Sequence, residues 1–438
     1  MKKSQFVLSL VLLACLFFIF GLVSWVNATL VPYFKVACDL DTQFKSYLVT
    51  FAFNIAYLVV TIPSGFLLSK VGYKKGTLIG MFILAAGALL FWPAARTRTY
   101  GLFLLALFTM GTAMAILQNV ANPFVTIIGR QETTVRRFSI MGVCNKTAGI
   151  LSPILFAAAV IRPQDKVIMS QVASGELVGE AKELALNELI RGVIPPYVVL
   201  AIVFVIFGLL FYKSPIPDIN PDKRGAESGE GTERSSVFAY PYLVLGIIAL
   251  FCHLGSQQLT VNTIVGYAAE AGYANAAIFP SFTLGCILLG YLFGVVTIPK
   301  LLSQKKALLI CTISGMILSV LVLALPIRWS VICLVLLGFS NSIVYSGIWA
   351  MAIPNLGKWT SLGSSLLVMA LCGNAIMPLL YGAASDRIGL QAAYWPLLPC
   401  FLFMFFYTVY GHKIQQWSRT SYTAASLRAT ALSKASWS

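Results

Sequence analysis

The sequence predicts an all-α membrane protein of twelve transmembrane helices arranged as two six-helix halves, and three observations carry that prediction. Hydrophobic residues fill 58% of the 438 positions and charged residues 11%, a balance that describes a polytopic membrane protein rather than a soluble domain. Apolar runs of about 20 residues or more, long enough to cross a bilayer, recur along the whole chain. A Pro/Gly-rich stretch of mixed charge, Lys213 to Ser236, divides those runs six and six and reads as a flexible linker. The expected organisation is a first half over 1–212, a linker over 213–236, a second half over 237–411 and a tail over 412–438.

Taken in order, the first helix is expected over 6–34. Met1-Lys2-Lys3 and Leu12-Leu13-Ala14-Cys15 imitate a lipoprotein signal, but the apolar run continues past Cys15 to Val31 and no soluble domain follows. Further helices are predicted over 43–68, 77–95, 99–128, 138–161 and 193–212, then over 238–264, 277–299, 307–326, 329–353, 362–384 and 391–411. Between the fifth and sixth lies a polar loop, 162–191, in which 174–190 has the pattern of a short surface helix. The Ser/Thr/Ala-rich tail is expected to be disordered.

The net charge of +16 would suggest a nucleic-acid partner in a soluble chain. Here the basic residues sit in short loops, where they set topology instead, so no nucleic-acid partner is expected. With the N-terminus inside, twenty of the 31 Lys+Arg fall on the inner face and ten on the outer; four of those ten share the 162–191 loop with five acids. Both termini are therefore expected in the cytoplasm. The nine cysteines form no CxxC or Cys/His cluster, so neither disulfides nor a metal is expected. No Walker loop and no nucleophile–base pair suggests an enzyme, and no cofactor is implied.

One stretch stands out inside an otherwise apolar run: Gln118-Asn119-Val120-Ala121-Asn122-Pro123-Phe124. Unpaired amides are costly in hydrocarbon, so these side chains should face the bundle interior or a wet cavity. Gln118 and Asn122 are four apart and Asn119 and Asn122 three apart, close enough to share a helix face. Pro123 should free a backbone carbonyl one turn back, giving a broken, amide-lined helix suited to an uncharged, hydrogen-bonding ligand.

Six plus six helices about a basic linker resemble the major facilitator superfamily. Ser69-Lys70-Val71-Gly72-Tyr73-Lys74-Lys75 corresponds to Lys300-Leu301-Leu302-Ser303-Gln304-Lys305-Lys306 in the second half. Gly65 to Lys75 is similar to the superfamily's loop signature, with Ser69 where an acid belongs. A closer literal match, Gly382 to Gly389 with Asp386-Arg387, falls on the outer face and reads as coincidence. Ile62-Pro63-Ser64-Gly65, Leu90-Phe91-Trp92-Pro93-Ala94-Ala95, Ala121-Asn122-Pro123-Phe124-Val125-Thr126, Asn355-Leu356-Gly357 and Gly363-Ser364-Ser365 look like the fucose-galactose-glucose symporter branch. That resemblance implies ion-coupled uptake of a monosaccharide by a monomer in the cell membrane, a bacterial inner membrane. In the fucose-type members a glutamate stands where this chain has Gln118 and an aspartate where it has Ala28. Glucose/galactose-type members resemble this chain in carrying glutamine at the first position.

All fifteen acids fall in loops or at helix ends, which leaves Lys146 and His253 as the ionisable residues within apolar runs. Lys146 lies about 12 Å from the inner end of its helix, at a depth comparable to that of Gln118. It either snorkels to the inner headgroups or faces the cavity, where it would exchange a proton, stand in for a coupling cation or pair with an anionic substrate. His253 reads as a packed histidine. The candidate sugar ligands are Gln118, Asn119, Asn122, Asn145, Gln257, Asn262, Asn341, Tyr345 and Asn374, with Lys146 as the coupling candidate. The resemblance supports Gln257, whereas Gln258 and Asn262 fit bonding between helices as well, and Tyr345 with Trp349 fits either a pyranose-stacking face or plain packing.

The sequence thus predicts a secondary transporter for a neutral monosaccharide, coupled to H+, to Na+ or to neither. The alternatives are an acidic-sugar permease that uses Lys146, and a sugar sensor that does not transport. The charge-based topology has a direct check. An impermeant thiol reagent should reach a cysteine placed at Ala173 from outside the cell and one placed at Ser228 only from inside. The opposite pattern would reverse the orientation.

Overall fold

A computed structural model describes residues 3–38, 43–160, 163–174, 176–215 and 234–417. Most of the expected linker and tail therefore lies outside the described residues. The first half comprises α1 (Lys3–Ala37), α2 (Gln43–Leu89), α3 (Phe91–Thr97), α4 (Tyr100–Ile127), α5 (Thr134–Val160), α6 (Pro163–Ser174), α7 (Gly179–Arg191) and α8 (Ile194–Lys213). The second comprises α9 (Pro241–Asn262), α10 (Ile264–Glu270), α11 (Phe279–Thr297), α12 (Gln304–Ala324), α13 (Ile327–Ser340), α14 (Val344–Ala352), α15 (Thr360–Met369), α16 (Gly373–Ile388) and α17 (Leu397–Val409).

These elements form twelve crossings. Ten helical segments of the described residues are long and apolar enough to span a membrane. One of them, Leu48–Thr97, is two crossings joined at Gly72. The 27-residue α5 completes the set. Gly72 turns the chain with φ 77° and ψ 172°, a conformation that a side chain resists. That is why a glycine sits in the basic loop between the second and third crossings. Lys74 Nζ donates to the Ser214 carbonyl at 2.6 Å, which brings this loop beside the start of the linker. Leu210 of α8 and Val296 of α11 present their side chains outward, as a lipid-facing surface requires.

Three features depart from the sequence expectation. First, α4 runs unbroken through Pro123. Its last turn is secured from outside: Arg137 Nε donates to the Val125 carbonyl at 2.8 Å and its Nη2 to the Thr126 carbonyl at 3.0 Å. These are carbonyls of the last turn, which a helix end leaves without intrahelical partners. Second, helix breaks fall at other places: the third crossing changes helix at Leu90, and three crossings of the second half do so as well. The seventh crossing changes helix at Thr263, the tenth between Ser340 and Val344, and the eleventh through a short tight turn over Ala370–Cys372. At the tenth, Ser342 Oγ returns to the Phe339 carbonyl, a side-chain bond that competes with the helix ladder. Third, the 162–191 loop holds two helices, and the second is more than a surface helix. Leu186, Leu189 and Ile190 of α7 are buried, and Arg98 pairs with Glu183 at 2.6 Å, so α7 is pinned over the bundle end opposite the linker.

Within the first half, α2 and α4 approach so closely that a Cβ on Gly111 would stand 2.1 Å from the Phe53 carbonyl oxygen. Backbone leaves no room to yield, and small residues at such contacts are what hold membrane helices together. Gly111→Leu should therefore destabilise the fold by about 1–3 kcal/mol, seen as a lower melting temperature in detergent. A variant as stable as the parent would show that this approach is not tight.

Candidate functional site

A cavity of about 1150 Å³, its open mouth included, lies between the two halves. It is sealed on the linker side by contacts that cross from one half to the other. Asn122 Nδ2 donates to Tyr345 OH at 2.8 Å, Trp349 Nε1 to Thr126 Oγ1 at 3.0 Å, and the Val135 N–H to Gln304 Oε1 at 3.1 Å. Phe138 packs against both Tyr345 and Trp349, with ring centroids 6.1 Å apart in each case. The cavity is therefore closed toward the linker and faces the opposite end of the bundle.

Its wall is built from stripes of helix surface. On α2, Thr50, Phe53, Asn54 and Tyr57 follow the i, i+3, i+4, i+7 spacing that puts residues on one face. On α4, Gln118 and Asn122 share the cavity face, and Gln118 Nε2 donates to Tyr57 OH at 2.9 Å. Asn145 and Lys146 reach in from α5, and Asn145 Nδ2 also donates to the Phe17 carbonyl of α1 at 3.2 Å. The second half contributes His253, Gln257, Gln258 and Asn262 from α9, Tyr345 from α14 and Asn374 from α16. Gln258, Asn262 and Asn374 make no side-chain hydrogen bond to other described residues.

Two of the sequence candidates sit elsewhere. Asn119 is one residue, hence about 100° of helix turn, away from Gln118. It is absorbed by α2, donating to the Thr61 carbonyl at 2.8 Å and to Ser64 Oγ at 2.6 Å, so it ties two helices together behind the wall. Asn341 is fully buried in the break of the tenth crossing. There its side-chain oxygen accepts from Ser256 at 3.1 Å, and its backbone carbonyl, no longer bound by a regular helix, accepts from Gln257 Nε2 at 3.4 Å. It positions Gln257 from behind. Trp349 belongs to the linker-side seal.

Lys146 does not snorkel. Its side chain is 5% exposed, and its ammonium lies 4.7 Å from the centre of the Trp25 ring and 3.4 Å from Gln257 Oε1, across the divide between the halves. A ring face and an amide oxygen both attract a cation, though neither neutralises it. Among the described residues no carboxylate lines the cavity and no group of three or more metal-ligating residues occurs. His253 is buried and its Nδ1 has no partner among the described residues.

The sequence reading missed the aromatic lining: Phe17, Phe20 and Trp25 of α1, Tyr57, Phe138 and Tyr291. Aromatic residues are common in apolar runs and give no signal singly. The polar members of their stripes, Ser24 on α1 and Asn54 on α2, would have marked the inward faces. Together the wall offers amides that both donate and accept, phenol hydroxyls, ring faces and one ammonium. Those are groups for holding a polyhydroxylated molecule with an apolar side, and they supply no nucleophile with a base.

Residues 12–370 match the sequence profile of the Major Facilitator Superfamily. The glucose/galactose transporter of Brucella abortus is 30% identical over 421 residues, covering 94% of this chain and 96% of that protein. The L-fucose-proton symporter of Escherichia coli is 29% identical over 399 residues, 89% of each. A crystal structure of that symporter in the outward conformation superposes with a TM-score of 0.78 at 27% identity, over 92% of this chain and 98% of the other. The proton:xylose symporter bound to a glucose derivative, at 14% identity and a TM-score of 0.66, shares the fold.

The division between wall and scaffold is testable by two neighbouring substitutions. Gln118→Ala, which removes an amide from the cavity, should weaken sugar binding by about 1–3 kcal/mol. Asn119→Ala should leave affinity near the parent's while lowering thermal stability, because its bonds join α4 to α2. Titration calorimetry and thermal melts on both purified variants separate the two effects, and the reverse pattern would exchange their roles.

Proposed function

The chain belongs to the major facilitator superfamily, and we propose from that premise that it carries a neutral monosaccharide into the cell by alternating access. The observation that carries this reading is the wall of the cavity: amides and aromatic rings from both halves converge on one space, and among the described residues no carboxylate joins them. A sugar presents hydroxyls that both donate and accept and a ring face of C–H groups, and this lining complements both. Hydrogen bonds from buried amides also discriminate, since an analogue lacking one hydroxyl leaves its partner unpaired. The names of the relatives support glucose, galactose and fucose as the first sugars to try.

Alternating access requires the seal to move. In this state the halves meet through Asn122–Tyr345, Thr126–Trp349 and Val135–Gln304, and the mouth faces away from the linker. Rocking the halves about the bound sugar would part these contacts and close the mouth. The basic residues of the loops near the linker support that end as the cytoplasmic one, so the described state receives sugar from outside. The proposed binding set is Gln118, Asn122, Asn145, Gln257, Asn262, Tyr345 and Asn374, with Asn341 supporting Gln257. The proposed membrane is a bacterial inner membrane.

Counterflow tests the reading without any assumption about the coupling ion. Vesicles containing the purified protein and loaded with unlabelled D-glucose, D-galactose or L-fucose should transiently concentrate the same sugar in labelled form. A sensor would bind a sugar and never exchange it. A permease for acidic sugars would exchange D-glucuronate in preference to all three.

A further inference from the structure

We propose that the proton moved with the sugar is carried by the Lys146 amine, so that the cavity of this transporter holds one positive charge when loaded and none when it returns empty. The inference rests on the transport reading above and names the group that couples it to a gradient. Proton symport needs a titratable group that meets the cavity in both of its states. The titratable side chains that share this cavity with Lys146 are Tyr57 of α2, His253 of α9, Tyr291 of α11 and Tyr345 of α14. Among the described residues neither α1 nor α4 brings one, and no carboxylate faces it.

The tyrosines are poor carriers because a phenol keeps its proton at neutral pH. Tyr57 and Tyr345 are also engaged with Gln118 and Asn122. His253 is 1% exposed, and its Nδ1 finds no acceptor among the described residues. A second positive charge there would stand beside the ammonium and be repelled by it, which makes the imidazole the poorer carrier. Lys146 is placed differently. Its protonated form is met by Gln257 Oε1 at 3.4 Å and by the Trp25 ring at 4.7 Å, one partner from each half.

Only one bond is made and broken in the cycle. An amine that takes a proton from the outer solution gains an N–H bond and becomes an ammonium; in the cytoplasm the same N–H bond breaks and the proton leaves to water. An ammonium has three N–H donors, and here one protein oxygen accepts from it. Hydroxyl oxygens of a sugar in the cavity supply further acceptors, so sugar binding favours the ammonium. By thermodynamic reciprocity the ammonium favours sugar to the same degree. When the halves rock and the sugar departs, those acceptors go with it and the proton is released. Because the positive charge rides on the loaded form, a membrane potential negative inside acts on the loaded step rather than on the return.

The test uses the full-length protein in vesicles, with whichever of D-glucose, D-galactose and L-fucose passes counterflow. The parent should accumulate that sugar when the outside is made acidic and should alkalinise a weakly buffered medium on sugar addition. Lys146→Gln has no titratable amine and Lys146→Arg holds a permanent charge. Both should still exchange sugar at saturating concentration, the glutamine variant with a raised half-saturation, while acid-driven accumulation falls at least tenfold and alkalinisation disappears. Should the glutamine variant fail to insert, the arginine variant carries the same test with charge and length kept. Accumulation at the parent's level in either variant, or a parent that exchanges sugar yet ignores the pH gradient, would overturn the assignment. Absence of counterflow in the parent would instead strike the transport reading itself.

Discussion

A polar group inside a bilayer has no water to turn to, so every amide, hydroxyl and carbonyl placed there must be met by protein or must face a hydrated space. Much of this architecture follows from that constraint. Asn119 is satisfied by Thr61 and Ser64 and so binds α4 to α2; Asn145 reaches the Phe17 carbonyl and so binds α5 to α1. Gln258, Asn262 and Asn374 have no such partner and lie where the halves part. The same chemistry thus ties helices together where a neighbour answers it and, at Gln118, Asn122 and Asn145, does so while also lining the cavity.

This distinction explains what the sequence revealed and what it withheld. The twelve crossings were legible because hydropathy reports lipid directly, and the basic loop carried the glycine that turns α2 back on itself. The cavity residues Gln118, Asn122, Gln257 and Tyr345 stood out as polar groups in apolar runs. The role of each was not legible, because it depends on a partner dozens or hundreds of residues away: Asn119 lies next to Gln118 in sequence and belongs to a different surface. The position of the helix breaks was also out of reach. Proline marked α4, where Arg137 secures the last turn, whereas the tenth crossing breaks at a Ser-Asn-Ser run whose freed carbonyl Gln257 meets from another helix.

The two halves differ in mechanical character as well as in sequence. In the first half, α4 and α5 run without interruption. In the second, three crossings change helix within their length, at or near cavity residues. A discontinuous helix presents backbone carbonyls and altered angles to a ligand that a regular one cannot. The recognition surface is accordingly made of side-chain amides on one side and of side chains braced by irregular backbone on the other.

Arg137 has an implication beyond the end of α4. Its guanidinium, 3% exposed, donates to the carbonyls of Val125, Thr126 and Arg130 and to the hydroxyls of Thr133 and Thr134, which rivets two consecutive membrane helices at their shared corner. A corner fastened at five points behaves as a stiff bracket. Gln118 and Asn122 lie on one arm of that bracket and Asn145 and Lys146 on the other, so the corner sets the distance from the cavity-facing amides of α4 to the Lys146 amine. In the proposed rocking of the halves, the dimension free to change is the gap from that bracket to Gln257 and Tyr345, which the bonds from Lys146 and Asn122 now span.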